Sequence, residues 1–224
     1  GASCRGKQMW TMWMGSIMNW LRSRLQTKTV THHTPRQDVS LTGDNTEISL
    51  GLPIFPYFAD PIANGCIIAK NAECICCEKN RSYFYVGPIY STHSVDEVCA
   101  WCVSDGTAAA KFSANFNDVY NWPPTVPRDV VDLISSRTPG YETWQGNRWL
   151  FSNSDALVFV GEVDGKALLV AKDTAKINAC RAALSDWQFT EDFDLANVKI
   201  GGQPSVYLFQ ERLTSNYKAY ADMG

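Results

Sequence analysis

The chain has 224 residues, enough to bury a sizeable core in one large domain or two modest ones. Its 45% hydrophobic and 19% charged residues, with 8 Trp, 9 Tyr and 10 Phe, exclude wholesale disorder and collagen-like or coiled-coil composition. The net charge of −3 divides unevenly. Residues 1–48 hold six Lys/Arg against three Asp/Glu and the remainder 14 against 20, so a basic segment (+3) precedes an acidic one (−6). Phosphate-backbone binding rests on Lys/Arg displacing counterions, so the acidic part is expected not to bind nucleic acid directly and suits a basic protein partner.

No run of about 18 apolar residues occurs, so no transmembrane helix is expected and the chain reads as soluble and cytoplasmic. Met9–Leu21 is apolar, lies between Arg5 and Lys7 on one side and Arg22, Arg24 and Lys28 on the other, and continues with helical spacing through Ile17, Trp20, Leu21, Arg24 and Leu25. Three readings are open for it: a signal or transit segment, a membrane-surface contact by residues 9–25, or a helix docking on protein, the last being preferred because most amphipathic stripes bury against protein. Residues 27–48 lack a sustained apolar period and read as a linker, which divides the chain into a basic N-terminal helix and linker (1–48) and a main domain (49–224).

In the main domain, Ser82–Tyr90 is β-rich and carries a Gly-Pro punctuation. A short helix is expected over Ala108–Phe116, and a second opens at Pro127 with Val130, Leu133 and Ile134 on its apolar face and stops at Pro139-Gly140. Ala156–Val163 and Lys166–Ala171 flank Asp164-Gly165, a dipeptide that favours a type I′ hairpin turn. Asp173 is placed to cap a helix through Ser185 with Ile177, Cys180, Ala183 and Leu184 inward, and Ser205–Glu211 with Tyr217–Tyr220 read as a C-terminal β-hairpin. The fold class expected is α+β: a zinc-ribbon-like antiparallel β module with flanking helices and that terminal hairpin.

Five of the eight cysteines fall within one short stretch. Cys74 and Cys77 form one CxxC pair, Cys99 and Cys102 another, and 21 residues separate the pairs. A CxxC turn places two sulfurs on one side of a tetrahedral Zn²⁺, so two pairs joined by a β excursion complete a site, at a spacing slightly above the common range. One structural Zn²⁺ is expected, because four cysteines leave no position for water. Cys76 is an alternative to Cys77, which is favoured because the CxxC spacing then repeats. Disulfides and a thioredoxin-like redox role are weaker fits, since no secretion signal is evident and neither pair opens an evident helix in a βαβ context. His93 in place of one sulfur would leave the metal more reactive. Cys4, Cys66 and Cys180 read as isolated thiols, packing residues where buried.

Two aromatic stretches remain. Arg137–Tyr141 with Trp144, Gln145, Arg148 and Trp149 reads either as a rigid turn before an aromatic packing helix or as a recognition surface in which Tyr141, Trp144 and Arg148 meet a partner. Asp186–Asp194 interleaves Trp187, Phe189 and Phe193 with Glu191, Asp192 and Asp194: aromatic anchors ringed by acids that would face a basic partner, or a solvated loop over a core.

Five runs, namely Leu52–Gly65 (LPIFPYFADPIANG), Glu73–Ser91, Cys99–Phe112, Arg137–Leu150 and Ser205–Gln210, together resemble the bacterial CbrC family across about residues 50–224. The resemblance implies a cysteine-rich zinc protein associated with tolerance to a nuclease colicin, with Cys74, Cys76, Cys77, Cys99 and Cys102 matching the family's first cysteine motif. It also implies a further CxxC after the SVYLFQ strand and a His-Cys pair after Trp149-Leu150, where this chain has Glu211, Thr214 and Ser152-Asn153. One zinc is therefore expected rather than two. The function expected is a zinc-stabilised binding protein, an immunity or tolerance factor that binds a basic toxin such as a nuclease. The alternative is a metal- or thiol-dependent enzyme using Cys76.

Overall fold

The computed structural model describes residues 51–152, 154–186 and 193–223. The N-terminal helix and linker expected over residues 1–48 lie outside them. The fold starts with a hairpin of β1 (Ile67–Glu73) and β2 (Asn80–Tyr85), followed by α1 (Ala100–Ser104), α2 (Thr107–Phe112) and α3 (Arg128–Arg137). Then come β3 (Val158–Glu162), α4 (Gly165–Ala171), α5 (Thr174–Asp186), a 3₁₀ turn at Leu195–Asn197, and the closing hairpin β4 (Ser205–Gln210) and β5 (Tyr217–Asp222). Both sheets are antiparallel: β1 pairs with β2, and β4 lies between β3 and β5. The molecule is α+β, with its helices flanking antiparallel strands.

The central strand explains how the chain packs. Side chains alternate across a strand, so SVYLFQ points Tyr207 and Phe209 to one face and Val206 and Leu208 to the other. Both faces are covered, which is why this strand reads as a continuous apolar run. Tyr207 and Phe209 join the larger core with Phe58, Tyr141, Trp149, Leu157 and Phe159. Val206 and Leu208 meet Cys180 and Leu184 of α5 together with Leu195 and Val198. Helix α5 starts at the expected cap, where Asp173 accepts the Lys176 N–H at 3.2 Å.

Helix α3 follows Pro127 as expected, with Val131 and Ile134 buried and Val130 and Leu133 half-buried. Its last turn is closed by a side chain rather than by the Pro-Gly pair alone: the buried Asn117 amide donates to the Ile134 and Thr138 carbonyls at 2.8 and 2.9 Å. Gly140 then passes against residue 116 so tightly that a Cβ there would lie 2.2 Å from the Phe116 carbonyl oxygen.

Asp164-Gly165 departs from the expected hairpin. The Asp164 carboxylate accepts the Ala167 N–H at 2.8 Å and caps α4, so Lys166–Ala171 is helical and β3 takes β4 as its partner instead. Asp is as good an N-cap as it is a turn former, and Lys, Ala and Leu favour the helix. Gly165 is required there because its backbone abuts the 3₁₀ turn, where a Cβ would sit 1.8 Å from the Leu195 carbonyl oxygen. Asp164→Ala is expected to lower stability by about 1 kcal/mol, and Gly165→Ala by more because backbone must move. Urea denaturation of the two variants checks this order.

Candidate metal centre

The first cysteine pair sits in the turn of the β1–β2 hairpin. Backbone bonds from Cys74 N–H to the Lys79 carbonyl (2.9 Å) and from Glu78 N–H to the Cys74 carbonyl (2.7 Å) curl the chain, and Glu78 adopts φ +58° to complete the turn. The second pair opens a helix: Cys99 is the N-cap of α1, and the Val103 N–H returns to its carbonyl at 3.3 Å, so Cys102 lies one turn along on the same side. The second pair thus opens a short helix, but one that follows an antiparallel hairpin rather than standing in a βαβ unit. The strand that leads into the first pair is β1, a mostly exposed segment that lacks an apolar alternation.

The two pairs meet because Glu97–Cys99 runs beside the hairpin. Ile75 N–H donates to the Glu97 carbonyl at 3.2 Å, Tyr85 N–H to Val98 at 2.9 Å, and Lys70 pairs with Glu97. Cys99 N–H points at Cys74 Sγ, 3.3 Å away. The four sulfurs of Cys74, Cys77, Cys99 and Cys102 consequently lie within 4.8 Å of one another. Cys74 to Cys102 is 3.9 Å and Cys77 to Cys99 is 4.0 Å. A tetrahedral ion with metal–sulfur bonds of about 2.3 Å places its thiolates about 3.8 Å apart, so the donor set and its dimensions fit a metal ion. Cys76 is buried but does not belong to this group of four. His93 is exposed in a loop, its ring Nδ1 3.3 Å from the Phe112 carbonyl.

Burial governs the thiols. It pushes Cys99 up to about 12 and Cys102 higher still, with the neighbouring sulfurs adding to the rise at Cys102. Cys76 is also raised by burial. At Cys77 burial acts in the same direction but is outweighed by the Lys79 backbone N–H and by Cys102, Arg81 and Cys74, which bring the thiol down to about 7. The guanidinium of Arg81 also lies over the Trp101 ring, 5.0 Å from its centroid. Ligation must therefore displace protons from the buried Cys99 and Cys102 thiols.

The aromatic block after α3 serves packing more than recognition. Tyr141 is 3% exposed, stacks on Phe159 with ring centroids 4.0 Å apart, and donates its hydroxyl to the Arg148 carbonyl at 2.6 Å. It cannot meet a partner, which corrects its assignment to a partner surface: an aromatic ring flanked by Phe159, Phe209 and Trp149 gains more from burial than from exposure. No helix forms over 141–150. Trp144 is partly exposed, with its indole N–H on the Gly202 carbonyl at 3.2 Å and its backbone N–H on the buried Asp222 carboxylate at 2.8 Å. Arg148 is exposed and borders a cleft of about 690 Å³ with Asp118, Tyr120, Phe151 and Lys218. Asp194 is committed locally, accepting the Ala196 N–H at 2.9 Å. Trp187, Phe189, Glu191 and Asp192 lie outside the described residues.

Residues 52–223 match the family described as an uncharacterised protein family, UPF0167. The chain belongs to this family. A UPF0167 protein of Mycobacterium bovis is 34% identical over 183 residues, covering 80% of this chain and 97% of its own length. Another, from Pseudomonas aeruginosa, is 38% identical over 164 residues, covering 70% and 89%. No solved structure matches the chain. Both cysteine pairs fall inside the matched span. Among the described residues, no helix is long and apolar enough to cross a membrane.

Substitution separates the four cysteines from the fifth. Titration with Co²⁺ is expected to give intense sulfur-to-cobalt absorption and tetrahedral d–d bands in the wild type and in Cys76→Ser, and to lose them in Cys74→Ser and Cys102→Ser. Because bound thiols release protons, binding should tighten as pH rises from about 6 to about 8.

Proposed function

We propose that the protein is a zinc-stabilised binding protein whose partner is a basic protein, and that it acts as an immunity or tolerance factor against a toxin such as a nuclease. The thiolate tetrad carries the first half of this reading. Zn²⁺ favours four soft ligands in a tetrahedron, and four cysteines close its coordination shell, which supports a role in holding the hairpin to α1 rather than in activating water. The resemblance to the colicin-tolerance family and the charge of residues 49–224 support the second half, since an excess of 20 Asp/Glu over 14 Lys/Arg complements a nucleic-acid-binding surface. Trp144 and Arg148, the latter at the mouth of the cleft beside Tyr120, are side-chain types that contribute strongly to interfaces.

Two measurements test it. Metal analysis of the purified chain should return one zinc per chain, and its removal by a chelator should lower the melting temperature. With the chain as bait in a bacterial lysate containing nuclease toxins, recovery of a basic nuclease that elutes as salt is raised is the expected result. Turnover of a small molecule with no basic protein recovered would overturn the binding reading.

A further inference from the structure

The two halves of the cysteine tetrad come from different elements, and one side chain bridges them from the helical side. Lys111, on α2, donates its ammonium to the Ile75 carbonyl at 3.0 Å and to the Cys76 carbonyl at 2.8 Å. Those two residues are the ones between Cys74 and Cys77, so their peptide groups form the bend that sets how the first pair of sulfurs points. Lys111 lies nine residues beyond Cys102, on the helix that follows the second pair directly. Its side chain is partly exposed, its ammonium lies 5.6 Å from the Phe112 ring centre, and the Glu78 carboxylate is 3.9 Å away. Other ties between the halves, among them Ile75 N–H to Glu97, Tyr85 N–H to Val98, Lys70 to Glu97 and Cys99 N–H to Cys74 Sγ, approach from the strand side.

We propose that Lys111 is a positioning residue for the metal centre: it clasps the bend of the first CxxC to the helical half and places a positive charge on the backbone between the two ligands of that pair. The proposal rests on the metal reading given above. Four thiolates around a divalent ion carry a net charge of −2, which a neighbouring ammonium offsets, and a lysine holding two carbonyls restrains the bend between the ligands. Outer groups that orient metal ligands typically change affinity about 10- to 100-fold when removed.

The test uses the full chain with Zn²⁺ and Co²⁺ as probes. In competition with a chromogenic chelator, Lys111→Met is expected to surrender zinc about 10-fold more readily than wild type, and its Co²⁺ d–d bands should shift because the donors are less fixed. Lys111→Arg, which keeps charge and donors, should stay within about twofold of wild type, and Lys111→Gln, which keeps a donor without charge, should fall between. Should Lys111→Met fail to fold, the Arg and Gln variants carry the comparison. Equal affinities and spectra in all folded forms would overturn the clasp alone. A wild type that takes up no ion would overturn the metal reading and the clasp together.

Discussion

Four sulfurs that must meet in a nearly dry space set the terms for the N-terminal half of the described fold. Cys74 and Cys99 are fully buried and Cys102 nearly so. Burial holds Cys99 and Cys102 in the thiol form, whereas Cys77 is brought near neutrality. Thiols packed together in this way make weak hydrogen bonds and little else. A divalent ion would change the balance, because it would replace protons with strong bonds and tie a hairpin turn to a helix N-terminus. The hairpin itself is small and largely solvent-exposed on β1, so two strands alone would be marginal. Its attachment at the cysteines gives it a partner.

The C-terminal half depends on hydrophobic burial instead. Strand β4 is covered on both faces, and Tyr141 ties the sheet to the segment after α3 through ring stacking and through its hydroxyl, which meets Arg148 and lies 2.9 Å from the Tyr220 hydroxyl. The polar tips of Tyr141, Tyr220 and Trp149 all find partners, which lets large aromatic side chains pack here without orphaned donors. Within the 137–149 block, Tyr141 and Trp149 are committed to the core, and Trp144 and Arg148, with Arg137 and Gln145, face solvent.

Elements whose signals are local were legible: the cap at Asp173, the stop after α3, the two apolar runs of the terminal hairpin, and both CxxC pairs. The misreading at Asp164-Gly165 has a specific cause. The dipeptide fits a tight turn and a helix start equally well, and the deciding contact, Gly165 against Leu195, comes from 30 residues downstream. Strand β1 was invisible because IIAKNAE is exposed along most of its length and carries a bulge between Ala69 and Ala72. The role of Lys111 is hidden from the sequence for a similar reason. A lysine on a short helix carries no motif, and its role emerges only when the helix is folded back onto the bend at Ile75-Cys76.

The central claim is that four cysteines from a hairpin turn and a helix N-terminus enclose one zinc ion. X-ray absorption at the zinc edge, on the protein as purified, tests it most directly. The account predicts a single shell of four sulfurs at about 2.3 Å. A shell containing nitrogen or oxygen ligands, or a preparation with no zinc that also fails to take it up, would contradict it.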